Sequence, residues 1–137
     1  MLDFTDQIVA VTGAAGNLGQ AVTRAFHSAG ARMAMIDRKR ESSIRAFGDD
    51  LPEGEDCLYV TGDLTSEASV ADCTRAIIDH YGRIDVLVNT VGGIRSGTRL
   101  HETPVETWDF MFNLNARSVF LMSRAVIPHM LEQRRGK

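Results

Sequence analysis

The chain has 137 residues, of which 44% are hydrophobic and 24% charged, and its net charge is −3. This composition predicts one folded domain with a substantial core, and the mildly negative charge argues against nucleic acid as the main partner. Since the sequence has no apolar run of transmembrane length and no basic-then-apolar leader at Met1, we expect a cytoplasmic protein without membrane contact.

The most informative stretch of the sequence runs from Ile8 to Asp37. A short apolar run to Val11 leads into a glycine-rich turn, then an apolar-periodic segment to Ala29, then a second apolar run that begins at Arg32. This order predicts a strand-helix-strand unit of the kind that binds dinucleotides.

Three positions in this unit point to the dinucleotide. Gly13 lies where the strand turns sharply into the helix, and Gly19 lies in the first helical turn, where a missing side chain lets the helix approach the strand. The N–H groups at the helix N-terminus hold a pyrophosphate without a basic side chain. Asp37 ends the second strand, where a carboxylate accepts both ribose hydroxyls of an adenosine and repels a 2′-phosphate. The G-x-x-G-x-x-G spacing alone also fits an ordinary strand-to-helix turn.

The cofactor predicted from Asp37 is therefore NAD. Arg38 follows directly and could contact an adenine or a 2′-phosphate, so NADP remains the alternative.

The rest of the chain continues the alternation of strands and helices. A capping box predicts the start of the last helix: Thr103 supplies the capping hydroxyl, Pro104 is the first helical residue and Glu106 the third. Gly136 predicts the end of that helix. Pro128 should bend or interrupt that helix. The remaining predicted elements are a short helix from Glu41 toward Phe47, a strand Cys57–Thr61, a helix capped by Thr65 or Ser66 that ends near Gly82, and a strand Ile84–Asn89.

Four alternating strands and helices predict an α/β fold of the Rossmann type, a doubly wound parallel sheet with right-handed crossovers and helices on both faces. In such a sheet the ligand crevice lies at the carboxyl ends of the strands, beside the switch point between the first and fourth. Gly13, Asp37, Asp63 and Asn89 all fall at these ends.

At this point the sequence resembles the short-chain dehydrogenase/reductase family. Thr12 to Gly19 is similar to the family's T-G-x-x-x-G-x-G turn, with Asn17 in place of the central glycine. Because Asn tolerates a left-handed backbone better than other side chains, we expect a mild substitution. The resemblance implies cofactor contacts from Gly13, Asn17, Leu18, Gly19, Asp37, Asp63, Leu64, Asn89 and Gly92.

Two further segments carry the resemblance. Asp63-Leu64 matches the acidic-apolar pair that contacts the adenine in the family. The run from Asn89 to Gly92 is similar to the N-N-A-G segment after the fourth strand, although Thr90 and Val91 depart from it. This segment favours the classical branch of the family over the extended branch.

The catalytic residues that the resemblance implies are mostly missing. Asn115 matches the helix asparagine with which the family holds a proton-relay water; Asn113 competes for that role, but Ser-Val-Phe follows Asn115 at the family's spacing. The family also uses a Ser, a Tyr and a Lys four positions after the Tyr. Neither Tyr59 nor Tyr81, the only tyrosines, has such a Lys. The family's fifth strand, which carries the Ser, would begin near Arg134, so residues 1–137 match a single NAD(P)-binding domain truncated before that strand.

No other side chains form a convincing catalytic or metal site. Cys57 and Cys73 lack a C-x-x-C spacing, so we expect two buried, reduced thiols. The four histidines are scattered over predicted helices and one loop, which favours surface or core roles. The sequence therefore predicts no metal.

The resemblance implies an NAD(P)-dependent oxidoreductase that transfers hydride between nicotinamide and a small carbonyl or alcohol, such as a 3-oxoacyl, sugar or polyol compound, with this chain alone inactive. The alternatives are a dinucleotide-binding module without turnover, or part of a longer enzyme whose fourth strand has an open side. In the family, the long helix that matches Thr103 to Gln133 commonly packs against a partner subunit, so the resemblance implies a homo-oligomer. The alternative is that the apolar residues of this helix all face the chain's own sheet.

Overall fold

Residues 2–137 are described by a computed structural model. The strands form a single sheet, and helices connect them in the predicted alternation. The strands are β1 (Ile8–Thr12), β2 (Arg32–Asp37), β3 (Cys57–Thr61) and β4 (Val86–Asn89). The helices are α1 (Asn17–Ser28), α2 (Arg40–Phe47), α3 (Glu67–Tyr81), α4 (Val105–Phe112) and α5 (Ser118–Gln133), with a π-helical segment (Asn113–Arg117) between the last two.

The sheet is buried on both faces because alternate strand residues enter two separate cores. Ile8 and Ala10 of β1 pack with α3 and α5, whereas Val9 and Val11 pack with α1 and α2. Side chains alternate between faces along a strand, so a sheet covered on both sides requires nearly continuous apolar strands. The predicted doubly wound α/β sheet is confirmed.

The strand order is β3-β2-β1-β4, and all pairs are parallel. The chain therefore crosses to the other side of β1 between β3 and β4, which confirms the predicted switch point. Thr12 pairs with both Ile36 and Asn89, and Asp37 pairs with Thr61. This register brings the carboxyl ends of all four strands to one edge of the sheet.

The start of the last helical region differs from the prediction. The Thr103 hydroxyl donates to the Arg99 carbonyl (2.9 Å), and Pro104 takes the cap position without a side-chain hydrogen bond. The predicted capping box is therefore wrong, because the Thr103 hydroxyl is bonded to the preceding turn.

The rest of that region also differs from the prediction. The π segment divides it, whereas Pro128 does not interrupt it, because α5 continues through Pro128 as far as Gln133. The helix ends before Gly136, with Arg134 in the left-handed region at φ 55°. No helix within residues 2–137 has the length and apolar character needed to cross a membrane.

Beyond α5 the chain returns to the sheet. The Lys137 N–H donates to the Asp85 carbonyl (3.0 Å), and its carbonyl accepts from the Leu87 N–H (2.9 Å). These two bonds bracket Val86 as in a parallel ladder. The outer side of β4 is therefore paired at this residue, where the resemblance predicts a fifth strand.

A buried carboxylate organises the amino ends of the central strands. Asp85 is only 4% exposed, and its carboxylate accepts hydrogen bonds from the Ile8 N–H (2.8 Å), the Arg83 guanidinium (3.0 Å) and the Arg135 guanidinium (2.6 and 2.8 Å). Because every bond involves an ionised acceptor, each is stronger than a neutral hydrogen bond. This cluster connects β1, the start of β4 and the segment after α5.

We predict that Asp85→Ala lowers the free energy of unfolding by about 3 kcal/mol, because the Ile8 N–H and two guanidinium groups lose their shared acceptor. Chemical denaturation followed by circular dichroism measures the change. Asp72→Ala is the matched control, since Asp72 pairs with Arg75 on the exposed face of α3 and should cost no more than about 0.5 kcal/mol. Equal losses in the two variants would contradict this role for Asp85.

Candidate dinucleotide-binding site

A crevice of about 570 Å³ crosses the carboxyl ends of the strands. It runs from the ends of β2 and β3, over the turn after β1, to the segment that follows β4. Its volume and position are those expected for a ligand site at a switch point. The crevice is lined by Gly13, Ala15, Gly16, Ile36, Asp37, Arg38, Ser42, Gly62, Asp63, Leu64, Thr65, Thr90, Val91, Gly92, Phe110, Asn113 and Leu114.

The turn between β1 and α1 has no room for side chains at two of its glycines. Gly13 has φ +64°, and a Cβ there would lie 3.2 Å from the backbone of Val91. A Cβ on Gly19 would lie 2.1 Å from the Gly13 carbonyl oxygen and 2.8 Å from Ala14 Cα. These are the physical requirements from which the sequence predicts a sharp turn and a closely packed helix.

The N-terminus of α1 is open toward this crevice. Its cap residue is Gly16, no side chain caps it, and its first turn holds no acidic residue. By contrast, the Ser66 side chain caps α3 by accepting a hydrogen bond from the Ser69 N–H. The N–H groups and the positive end of the α1 dipole are therefore available to an anion.

Asn17 is the first residue of α1 and not part of a left-handed turn. Among residues 2–137, the only residues other than glycine with positive φ are Asp6 and Arg134. The expectation that Asn17 is tolerated because of left-handed geometry is therefore wrong. Asn17, Leu18 and Gly19 all lie in the first turn of α1, and their side-chain positions are not among those that line the crevice.

Asp37 lies at the end of β2 and faces the glycine-rich turn. One carboxylate oxygen accepts from the Ala15 N–H (3.0 Å) and the other from the Arg38 N–H (2.8 Å). Each oxygen retains a further lone pair, so the carboxylate can still accept hydroxyl donors. Asp37 therefore supports the turn and presents negative charge to the crevice at the same time.

The segment after β3 also lines the crevice, at the end where Asp37 lies. The Asp63 carboxylate accepts from the Thr65 N–H (2.9 Å) and hydroxyl (2.7 Å), and these bonds lower the pKa of Asp63. Leu64 is buried and contributes an apolar surface. A Cβ on Gly62 would lie 2.3 Å from the Cys73 sulfur, so α3 packs directly beneath this segment.

The segment after β4 is joined to the end of β1. The Thr90 hydroxyl donates to the Thr12 carbonyl (2.6 Å), and the Thr90 N–H donates to the Thr12 hydroxyl (3.1 Å). Asn89 is the exposed last residue of β4 and does not line the crevice, whereas Thr90, Val91 and Gly92 do. Thr90, which departs from the family's pattern, thus joins the ends of β1 and β4 by two hydrogen bonds.

Asn115 lies in the π-helical segment, where the wider helical turn changes the direction of side chains. Its amide nitrogen donates to the Gly93 carbonyl (3.0 Å) and the Met111 carbonyl (2.8 Å), and its oxygen accepts from the Gly93 N–H (3.0 Å). The side chain therefore fixes the segment after β4 against the helices, while the neighbouring Asn113 and Leu114 line the crevice.

The tyrosines and cysteines of this chain lie in its cores. The Tyr59 hydroxyl donates to the Leu51 carbonyl (2.8 Å) and that of Tyr81 to the Met33 carbonyl (3.1 Å), and burial raises the pKa of both. Burial raises the pKa of the Cys57 thiol to about 11 and also raises that of Cys73, so both predicted buried thiols are poor nucleophiles.

Within the described part of the chain, no three His, Cys, Asp or Glu side chains come together as metal ligands.

Phe110, Asn113 and Leu114 belong to the crevice, but the sequence reasoning missed Phe110 and Leu114 and considered Asn113 only as a rival to Asn115. In the sequence they look like part of an amphipathic helix. The packing of α4 and the π segment against the segment that follows β4 brings them to the site, and no local motif encodes that packing.

The profile of the short chain dehydrogenase family matches residues 7–137. The chain is 32% identical over 134 residues to a CLA biosynthesis dehydrogenase/reductase from Lactiplantibacillus plantarum, covering 98% of this chain and 46% of the relative. It resembles the structure of an NAD⁺-bound xylitol dehydrogenase with a TM-score of 0.91 and 26% identity, covering 97% of this chain and 51% of the other.

A second similar structure is a 3-ketoacyl-(acyl-carrier-protein) reductase from Brucella melitensis complexed with NADH, with a TM-score of 0.86 and 28% identity. The match covers 96% of this chain and 52% of the reductase. The chain belongs to the short-chain dehydrogenase/reductase family. It spans about half the length of the curated relatives it matches.

We predict that Gly19→Ala lowers the free energy of unfolding by about 2 kcal/mol or more, because the new Cβ meets backbone atoms that cannot move independently. The measurement is urea denaturation followed by circular dichroism. Gly54→Ala is the control, because a Cβ there meets no atom within 4 Å and the change should be within about 0.5 kcal/mol. A fully stable Gly19→Ala variant would show that α1 does not need this close approach.

Proposed function

We propose that this chain forms the dinucleotide-binding part of an NAD-dependent oxidoreductase that acts on a small carbonyl or alcohol compound. The observation that carries the proposal is the joint position of the uncapped α1 N-terminus and the Asp37 carboxylate on one crevice. When bound, the nicotinamide supplies or accepts the hydride. The predicted cytoplasmic location stays a prediction.

The groups along the crevice suit the successive parts of NAD. Asp37 offers acceptors for the adenosine ribose, and the buried Leu64 offers an apolar surface for the adenine. The turn at Gly13 and the α1 N-terminus offer donors for the pyrophosphate. On this assignment, the nicotinamide half lies toward Thr90, Gly92 and the π segment, on the far side of β1 from Asp37. Asn89 and Asn115 would support that end without lining it.

The proton transfers of the reaction need groups other than the tyrosines of this chain. Tyr59 and Tyr81 donate to backbone carbonyls inside the cores, and burial raises the pKa of both instead of lowering it toward neutrality. This observation favours a second candidate, a dinucleotide-binding module without turnover, for the chain by itself. A substrate such as a 3-oxoacyl, sugar or polyol compound belongs to the proposal for the whole enzyme.

Titration of the chain with NADH, followed by nicotinamide fluorescence, tests the proposed cofactor site. We predict that Asp37→Asn weakens NADH binding about tenfold or more, because the ribose loses hydrogen bonds to a charged acceptor. The amide oxygen can still accept from the Ala15 N–H, so the turn should remain folded. Asp49→Asn removes the same charge from an exposed loop position and should bind NADH as the unsubstituted chain does.

A parallel titration with NADPH distinguishes the two cofactors. The unsubstituted chain should bind NADPH more weakly than NADH. Asp37→Asn should reduce this difference in affinity, because it removes the repulsion between the carboxylate and the 2′-phosphate. Tighter binding of NADPH by the unsubstituted chain would reject NAD as the cofactor. Absence of binding to either nucleotide would reject the site itself.

We further propose that a second copy of the chain covers the exposed apolar side of α4 and α5. Trp108 stacks on Phe112 with ring centroids 4.3 Å apart, and both rings are more than half exposed. Phe120 and Leu131 of α5 are 61% and 71% exposed. Large apolar and aromatic side chains that remain this exposed are typical of protein interfaces.

Light scattering after size-exclusion chromatography tests this surface. We expect the unsubstituted chain to form an oligomer that Phe120→Glu dissociates, because a buried unpaired charge opposes association. Ile44→Glu on α2 is the matched control, as Ile44 is also half exposed, and should leave the oligomer intact. A monomeric unsubstituted chain would contradict the proposal.

A further inference from the structure

The segment after β4 is held in one position, although it is exposed and rich in glycine. The side chain of Asn115 binds both backbone groups of Gly93, and the Arg95 N–H donates to the Met111 sulfur (3.1 Å). A Cβ on Gly93 would lie 3.0 Å from Leu114, so the segment lies directly against the π region. The side chain of Arg95 therefore starts from a defined backbone position.

The guanidinium of Arg95 lies over the ring of Phe110, with its central carbon 3.4 Å from the ring centroid. Phe110 itself lines the crevice, as do Thr90 and Gly92. A cation over an aromatic face is attracted by the ring and keeps the N–H donors at its edge free. Since Arg95 contacts Phe110 and follows Gly93 closely in the chain, we infer that its guanidinium lies beside the crevice on the β4 side, away from Asp37.

Arg95 has no acidic partner in the structure. Between residues 2 and 137, seven other arginines form ion pairs, but the Arg95 side chain makes neither an ion pair nor a hydrogen bond. Arg38 also lines the crevice without an ion pair, but at the Asp37 end. A positioned, unpaired guanidinium fork matches the planar oxygens of a carboxylate or the oxygens of a phosphate.

We propose that Arg95 binds the anionic group of the substrate, so that the enzyme acts on carbonyl or alcohol compounds that carry a carboxylate or phosphate. This inference rests on the proposed function, because the end of the crevice near Arg95 is the end left for the nicotinamide and substrate. Phe110 provides the apolar wall that holds the guanidinium, and Asn115 acts as a positioning residue through Gly93.

Two pairs of compounds that differ in charge test the proposal with the NADH-saturated chain. They are 3-oxobutanoate with its methyl ester, and dihydroxyacetone phosphate with dihydroxyacetone. We expect at least one anion to shift the NMR signal of the Arg95 side-chain N–H in a saturable way, while its neutral counterpart does not. The pair that responds distinguishes a carboxylate from a phosphate.

The matched variants are Arg95→Gln and Arg99→Gln, which remove the same charge from neighbouring positions. Arg95→Gln should weaken anion binding about tenfold, because charge-assisted bidentate hydrogen bonds are lost, and leave NADH affinity unchanged. Arg99→Gln should alter neither affinity. Equal binding of charged and neutral compounds, equal effects of the two variants, or no saturable anion binding would overturn the proposal. Weaker NADH binding by Arg95→Gln would assign Arg95 to the cofactor instead.

Failure of NADH to bind at all rejects the proposed function, and the anion titration without NADH still tests Arg95 directly.

Discussion

The tightest steric constraint on the crevice is the close approach of α1 to the turn that precedes it. A methyl group on Gly19 would lie 2.1 Å from the Gly13 carbonyl oxygen, and Gly13 itself requires a positive φ. Because these two glycines allow the helix to begin directly above β1, the N–H groups of its first turn face the edge where all strands end. The helix N-terminus is therefore the fixed point of the crevice, around which its other groups are arranged.

Carboxylates fix the two ends of the central strands in different ways. At the amino end, Asp85 is buried and fully engaged with a backbone N–H and two guanidinium groups, which makes it a structural residue. At the carboxyl end, Asp37 is partly exposed and accepts only two backbone N–H groups, so it retains capacity for a ligand. Asp85 and Asp37 therefore differ in the hydrogen-bonding capacity that remains, and only Asp37 has acceptors left for the proposed ligand.

The end of the crevice beyond β4 is built from contacts between segments. Thr90 occupies a position where the family has an asparagine, and its hydroxyl and N–H join β4 to Thr12 of β1. Asn115 then joins the following segment to the helices. These bonds give an exposed, glycine-containing segment a defined path, which is why the guanidinium of Arg95 can rest on Phe110 beside the crevice.

The sequence by itself determined the α/β class, the strand order around β1 and the edge at which the site lies. Apolar strands, glycine requirements and the alternation of elements are local properties with few structural solutions. It could not determine that Thr103 bonds backward to Arg99, or that Asn17 is helical, because several local geometries suit such residues. Only the tertiary structure decided which residues of the last helical region reach the crevice. The π segment sets that direction, and it depends on the contacts of Asn115 with Gly93 instead of on any periodicity in the chain.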